Sequence, residues 1–231
     1  MMLKFDRWDQ LLRQYVDERG RVDYRRWQQE GQKSLVEWLA EMSEVDLAQH
    51  PNADEQLALW LNLYNAVTIA QILRRYPIAS IQPKILGLPN WVTFLSFFLR
   101  PVYRLGDRRY SLNAIEHGIL RRQFDDPRIH FALVCGSIGC PLLRNQTYQA
   151  DRVQQQLAED ADRFINNPEK VHYEGGKLYC SRIFQWYRSD FLRVAPSLPQ
   201  YIQSYWRSDG ELTAETPIVY LPYSWQLNQP E

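Results

Sequence analysis

Cysteine is scarce in this chain of 231 residues, which has three: Cys135, Cys140 and Cys180. Three cysteines are too few for a disulfide framework, and a chain of this length can bury a core large enough to fold without one. The scarcity therefore favours a reducing compartment, and we expect the protein to be cytoplasmic.

Net charge and long hydrophobic runs are also lacking. The 27 basic residues balance 27 acidic ones, which gives no electrostatic signal for nucleic acid or for an anionic membrane. The most apolar stretch, 85–99, contains Pro89 and Asn90 and is too short to span a bilayer. The N-terminus becomes charged before an apolar run develops, so we expect no secretory signal, no membrane partner and no nucleic-acid partner.

Nucleotide-binding and serine-hydrolase motifs are missing as well. The sequence contains no GxxxxGK[ST], GxGxxG or GxSxG pattern, so it predicts no nucleotide cofactor and no serine nucleophile. We expect no cofactor of any kind.

The sequence does contain apolar and aromatic residues at helical spacing. The segment 54–76 is apolar nearly all round, which predicts a central buried helix. Asp54 is the expected N-cap, and Pro77 ends the helix.

Short apolar runs and glycine turns predict the remaining elements. Ile129–Cys135 is a short run rich in branched residues, which indicates an interior strand. The segments 102–110 and 171–181 predict hairpins with glycine turns. Together these patterns predict a helix-rich α+β fold with a small, interrupted, mainly antiparallel sheet, in one domain over 1–231. A papain-like or transglutaminase-like architecture is compatible with that class by analogy.

The candidate chemistry lies where the predicted strand enters a glycine-containing loop bracketed by Cys135 and Cys140. The amides of residues 136–139 can converge on an anion, as an oxyanion hole does. Pro141 favours a helix start, which would place Cys140 at a positive helix end and makes it the preferred nucleophile. The alternative for Cys135 is a buried, inert side chain.

Two histidines are candidate bases for a cysteine nucleophile. In the predicted strand His130 points away from Cys135, so His117, on the preceding predicted helix, is the favoured partner. Glu116 or Asn65 is the candidate that holds the second imidazole nitrogen. For both histidines the alternative is a hydrogen-bonded structural role.

Asn62 and Asn65 interrupt the apolar surface of the predicted central helix. A buried amide needs hydrogen-bond partners, so these side chains either tie the helix to neighbouring backbone or orient a catalytic imidazole.

A zinc site is the metal alternative, because the spacing of Cys135 and Cys140 falls within the range of zinc ligands. No second ligand pair of that kind follows in the sequence, and His117, His130 and Cys180 would have to converge from distant segments. We therefore expect no metal.

Five motifs in series resemble the domain-of-unknown-function family 547, and the resemblance covers about residues 20–228. They are Trp60-Leu-Asn-Leu-Tyr-Asn-Ala66, Ile115-Glu-His-Gly-Ile-Leu-Arg121, His130-Phe-Ala-Leu-Val-Cys-Gly-Ser-Ile-Gly-Cys-Pro-Leu142, Phe184-Gln-Trp-Tyr-Arg-Ser-Asp-Phe191 and Tyr220-Leu-Pro-Tyr-Ser-Trp-Gln-Leu-Asn228. Ser224 departs from the aspartate expected in the last motif. The resemblance implies a stand-alone copy without the leucine zipper of plant members. It also implies a site near the candidate residues, but it implies no reaction.

Three functions remain open at this point. The first is a thiol-dependent hydrolase or transferase that acts on an amide, peptide or thioester through a Cys-His pair. The second is a redox or metal-binding module that uses Cys135 and Cys140 together. The third is a non-catalytic domain that binds a protein partner. For the first we expect a small-molecule or peptide substrate.

Overall fold

The computed structural model describes residues 3–230 and contains twelve α-helical segments and seven strands over that range. The helices are α1 (Asp6–Tyr15), α2 (Tyr24–Arg26), α3 (Gln32–Ser43), α4 (Ala53–Leu73), α5 (Trp91–Leu99), α6 (Leu112–Ile115), α7 (Arg121–Gln123), α8 (Ile129–Ala132), α9 (Val153–Ile165), α10 (Ile183–Trp186), α11 (Arg188–Phe191) and α12 (Leu198–Gln203). The strands are β1 (Lys84–Ile85), β2 (Leu88–Pro89), β3 (Tyr103–Leu105), β4 (Arg108–Tyr110), β5 (Val171–Glu174), β6 (Lys177–Cys180) and β7 (Ile218–Tyr220).

The strands form three small sheets. β1 pairs with β2, β3 with β4, and β5 with β6, all antiparallel, while β7 joins the other edge of β6 in parallel. The predicted helix-rich α+β class is thus confirmed, and so are both hairpins. That the chain forms one domain over 1–231 stays a prediction.

Helix α4 is the centre of the larger hydrophobic cluster. Every residue from Leu57 to Leu73 is buried, as its all-round apolar sequence predicted. Its N-cap is Asn52 rather than Asp54, because the Asn52 side chain accepts hydrogen bonds from the first free amides of the helix. Asp54 lies in the first turn of the helix and adds favourable negative charge to the helix N-terminus.

The two buried asparagines of α4 tie it to neighbouring backbone. Asn65 donates from its Nδ2 to the carbonyl of Ala132 and accepts from the amide of Val134, both at 3.0 Å. Asn62 makes the same pair of bonds with the backbone of Tyr148, at 2.9 and 3.0 Å. Each asparagine side chain thus pairs with one backbone carbonyl and one backbone N–H. In a sheet, a neighbouring strand would pair with such groups.

The interior strand predicted over Ile129–Cys135 is wrong. The segment begins as the one-turn helix α8, and residues 133–135 continue as extended chain without a partner strand. A short apolar run is compatible with either state, and here the hydrogen bonds to Asn65 stabilise the extended part in the absence of a sheet. This change moves His130 from a strand onto a helix.

The C-terminal segment lies along the loop between Cys135 and Cys140. The amides of Ile138 and Gly139 donate to the carbonyls of Gln226 and Ser224, at 2.8 and 2.9 Å. A Cβ at Gly139 would lie 2.8 Å from the Ser224 carbonyl oxygen, so this close approach requires glycine. The segment therefore positions the loop from outside, and Ser224 contributes a main-chain carbonyl to this contact.

Residues 3–230 contain no helix whose length and apolar character would allow it to cross a membrane.

Asn65→Ala should lower the free energy of unfolding by about 2–4 kcal/mol, because it leaves the amide of Val134 unpaired and removes a short bond to a buried carbonyl. Asn52→Ala, which removes only a helix cap, should cost about 1 kcal/mol. Urea unfolding of both variants measures the difference. A loss for Asn65→Ala no greater than that for Asn52→Ala would contradict the tethering role.

Candidate functional site

A cavity of about 760 Å³ brings the candidate residues together. Five of the six predicted site residues line it: Glu116, His117, His130, Cys135 and Cys140. The sixth, Asn65, does not line the cavity. Its side chain forms hydrogen bonds with the backbone that leads to Cys135. The volume is within the range of small-molecule binding sites.

The apolar wall of the cavity is a chain of aromatic rings. The side chains come from α5, from α10 and from the C-terminal segment: Trp91, Phe94, Phe98, Trp186, Tyr223 and Trp225. Phe94 and Trp225 join the two sides, with ring centroids 4.7 Å apart, and Trp225 contacts Tyr223 at 4.5 Å. Helix α5 therefore packs on the C-terminal segment and closes one side of the cavity.

Asp190, on α11, organises the polar end of the cavity. Its buried carboxylate accepts two hydrogen bonds from Arg121, at 2.6 and 2.7 Å, and is 2.8 Å from His130 Nε2. Burial alone would raise the pKa of Asp190, but the hydrogen bonds from His130 and Arg121 outweigh it and hold the pKa well below its ordinary value. Asp190 is therefore an anion at neutral pH.

His130 is a neutral imidazole oriented by that anion. Burial lowers the pKa of His130 and outweighs the opposing effect of the Asp190 and Glu116 carboxylates. The carboxylate accepts from Nε2, which places the ring proton there and leaves Nδ1 as the basic nitrogen. The ring stacks on Tyr187 with centroids 3.7 Å apart, which fixes its plane.

Glu116 lies at the start of a π-helical turn, Glu116–Leu120, that continues α6. Its carboxylate accepts from Tyr187 at 2.5 Å and from Tyr64, on α4, at 3.0 Å. Burial, reinforced by Glu116, raises the pKa of both phenols, which therefore remain hydrogen-bond donors. Such π turns are frequent at functional sites.

His117 follows on the same turn and is less buried than His130. Its Nδ1 is 2.8 Å from a guanidinium nitrogen of Arg121, which can only donate, so the ring proton lies on Nε2. That nitrogen is 3.9 Å from the Glu116 carboxylate, which is too far for a hydrogen bond, so the predicted role of Glu116 in holding the second imidazole nitrogen stays a prediction.

Cys135 and Cys140 form a disulfide in the cavity wall, with their Cα atoms 6.2 Å apart. The amide of Cys135 donates to the sulfur of Cys140 at 2.9 Å, and the Tyr223 hydroxyl donates to the same sulfur at 3.2 Å. Ser137 Oγ lies 3.0 Å from the sulfur of Cys135. Burial raises the pKa of Tyr223, so its phenol stays protonated beside the sulfurs.

The Cys-His pair predicted from the sequence is wrong in this structure. Over residues 3–230, neither sulfur of the pair makes a hydrogen bond with an imidazole, and the two sulfurs are bonded to each other. His130 lies on helix α8 rather than on a strand, and it lines the same cavity as both cysteines.

A further prediction about the loop is wrong. No helix begins at Pro141, so Cys140 has no helix N-terminus to stabilise its thiolate. Of the amides over residues 136–139, those of Ile138 and Gly139 donate to main-chain carbonyls and are therefore not free to bind an oxyanion. The donors to Cys140 are instead the Cys135 amide and a tyrosine hydroxyl.

Cys180 is unpaired, as the sequence predicted, and lies buried in β6. Burial raises the pKa of its thiol to about 12, so it is an inert side chain at neutral pH.

Asp190, Tyr187 and Tyr223 are the functional candidates that the sequence did not single out. Each belongs to a motif of the family resemblance, which was the one available signal. Their roles depend on partners 60 or more residues away in the chain, and periodicity carries no information about such contacts.

Over the described part of the chain, no group of three histidine, cysteine, aspartate or glutamate side chains is placed to hold a metal ion.

The fold and the cavity define a helix-rich α+β protein with a cysteine pair in an aromatic cavity. A family model described as "Protein of unknown function, DUF547" matches residues 48–165, which is more than half of the chain. The chain therefore belongs to the DUF547 family, and the resemblance noted from the motifs is confirmed. No curated protein and no solved structure matches the chain.

The free energy of unfolding should decrease as the pH falls from 7 to 5. An unfolded chain protonates His130 near its ordinary pKa of about 6.5, whereas the folded protein, with a lowered pKa, does not. The slope from this one proton is at most about 1.4 kcal/mol per pH unit. Asp190 does not affect the stability between pH 7 and 5. Its lowered pKa contributes to the free energy of unfolding at neutral pH, and that contribution is lost only below about pH 3.8.

Urea unfolding between pH 7 and 5 measures this slope in wild type and in His130→Gln, which should be less pH-dependent although less stable. His172→Gln, on the β5–β6 hairpin, is the matched control and should retain the wild-type slope. An unchanged slope in His130→Gln would contradict a neutral, buried His130.

Proposed function

We propose that this DUF547 protein is a thiol–disulfide oxidoreductase that uses Cys135 and Cys140 as its redox pair. The observation that carries the proposal is the disulfide in the wall of a ligand-sized cavity. A disulfide that only stabilises the fold has no need of a cavity beside it, and residues 135–140 close too short a loop to stabilise much.

In this proposal Cys140 is the nucleophile of the reduced pair. A thiolate is stabilised by hydrogen bonds to its sulfur, and Cys140 receives two, from the Cys135 amide and from Tyr223. Cys135 has a hydroxyl neighbour in Ser137 and acts as the resolving thiol. Asn65 holds the backbone on which Cys135 lies.

The exchange has two balanced steps. The Cys140 thiolate attacks one sulfur of a disulfide substrate, the substrate S–S bond breaks, and the released thiolate takes up a proton. Cys135 then loses its proton and attacks the Cys140 sulfur, which forms the protein disulfide and expels the second substrate thiolate. The substrate receives two electrons from the pair and takes up two protons, one lost by Cys135 and one from solvent, and a small-molecule or protein thiol reduces the pair again.

His130 is the proposed acceptor for the proton of Cys135. Its Nδ1 is basic, its ring is neutral at pH 7, and it lines the same cavity as both sulfurs. Transfer through one water satisfies the geometric requirement where no direct hydrogen bond exists. Glu116 and His117 provide the remaining polar surface against which the substrate is oriented.

A thiol-dependent hydrolase or transferase is the second candidate. The specific observation in its favour is the same pair of donors to the Cys140 sulfur, which would also activate a reduced Cys140 toward an amide or thioester. The two functions differ in their need for Cys135, since hydrolysis requires one thiol, whereas the exchange requires a second thiol to release the substrate from Cys140.

Cytoplasmic location belongs to the same proposal. In a reducing compartment a disulfide is transient and tends to be catalytic or redox-sensing, which agrees with an exchanging pair. The substrate is a small molecule or peptide, and neither nucleic acid nor a membrane is a proposed partner.

Reduced protein should accelerate the cleavage of a self-quenched fluorescent glutathione disulfide, with dithiothreitol as electron donor. Cys140→Ser should reduce turnover to the uncatalysed rate, because no mixed disulfide forms without the nucleophile, and Cys135→Ser should slow turnover, because dithiothreitol must then replace Cys135 in releasing the mixed disulfide. Cys180→Ser is the matched control and should retain turnover, since Cys180 is buried away from the cavity.

Mass spectrometry without dithiothreitol assigns the roles of the two thiols. Cys135→Ser should accumulate one glutathione on Cys140, whereas Cys140→Ser should accumulate little. Turnover in Cys135→Ser as fast as in wild type, or an absence of turnover in wild type, would overturn the redox proposal. Thioester hydrolysis that requires Cys140 but not Cys135 would support the second candidate, and inactivity in both assays would favour the non-catalytic binding domain.

A further inference from the structure

The cavity mouth exposes large apolar side chains. Trp91 is 56% exposed, Leu99 is 52% exposed and Trp186 is 45% exposed, and all three line the cavity. Neighbouring apolar side chains that converge on one opening are costly to leave in water, and they are typical of a surface that a ligand covers.

Arg182 is the one lysine or arginine among the residues that line the cavity. It precedes α10, and the four-residue spacing places it on the same side of that turn as Trp186. Over residues 3–230, the guanidinium of Arg182 makes neither a hydrogen bond nor an ion pair, whereas Arg121, nearby, is fully engaged by Asp190. A charged group free at the edge of an aromatic wall is suited to bind an anion.

The carboxylate that lines the cavity does not compete for Arg182. Glu116 already accepts hydrogen bonds from Tyr64 and Tyr187, and it makes no ion pair with Arg182. The cavity thus has an apolar wall, a redox pair, and one unpaired cation beside the apolar wall. A single guanidinium balances one carboxylate, while a phosphate dianion would leave charge unbalanced.

We infer that the cavity binds a monoanionic amphiphile, with its apolar body against the aromatic wall and its carboxylate paired with Arg182. The inference deepens the proposed function and rests on it in one respect: the substrate of the exchange is then a disulfide or thiol that bears an apolar body and a carboxylate. Binding itself requires neither cysteine.

Binding of 11-(dansylamino)undecanoic acid, followed by dansyl fluorescence, tests the inference. Wild type should bind the acid more tightly than its methyl ester. Arg182→Gln should weaken binding of the acid by about tenfold, which is the lower end of what a hydrogen bond to a charged group contributes, and should leave the ester unchanged. Arg188→Gln, exposed on the next helix and outside the cavity, is the matched control and should bind the acid as wild type does.

The contribution of the apolar wall is tested with Trp186→Ala, which should weaken the binding of the acid and of the ester to the same extent. The double variant Cys135→Ser/Cys140→Ser should lose exchange but keep binding, which separates a failure of this inference from a failure of the redox proposal. Equal affinity of wild type and Arg182→Gln for the acid would overturn the inference. Absence of saturable binding of the acid to wild type would overturn it as well, even if exchange activity is present.

Discussion

The buried carboxylate of Asp190 is the constraint on which the polar end of the cavity depends. A buried anion needs a countercharge and hydrogen bonds. Arg121 supplies the countercharge for Asp190, and Arg121 and the neutral His130, which come from different elements, both donate hydrogen bonds to it. These bonds hold α7, α8 and α11 in one arrangement and set the tautomer of His130. Because Arg121 also donates to His117, the same carboxylate indirectly fixes the second imidazole.

The opposite side of the cavity depends on main-chain contacts instead of charge. The C-terminal segment occupies amides of the loop between the cysteines and places Tyr223 over both sulfurs. From within, Asn65 holds the chain that leads into Cys135. The Cys135–Cys140 pair is therefore held on both sides by backbone contacts that do not depend on the S–S bond. The proposed exchange requires such support, because reduction would then separate the sulfurs without releasing the loop.

The elements that the sequence predicted well are those whose signal is local. Helix α4 has an all-round apolar pattern, and the hairpins have glycine turns, so both follow from residues near one another in the chain. The segment Ile129–Cys135 was misassigned because a short apolar run suits a strand or a helix, and a side-chain amide of α4 decided between them. Five of six predicted site residues line one cavity, but the sulfur–sulfur bond and the role of Asp190 are tertiary facts that spacing does not encode.

The central claim is that Cys135 and Cys140 exchange electrons reversibly in the folded protein. The most direct measurement equilibrates the native protein in glutathione buffers of increasing reducing strength, traps thiols with an alkylating reagent under denaturing conditions, and weighs the intact chain. The account predicts a single transition in which two alkyl groups are added together, with folded protein on both sides. A pair that stays oxidised until the protein unfolds, or that is fully reduced in every buffer, would contradict it.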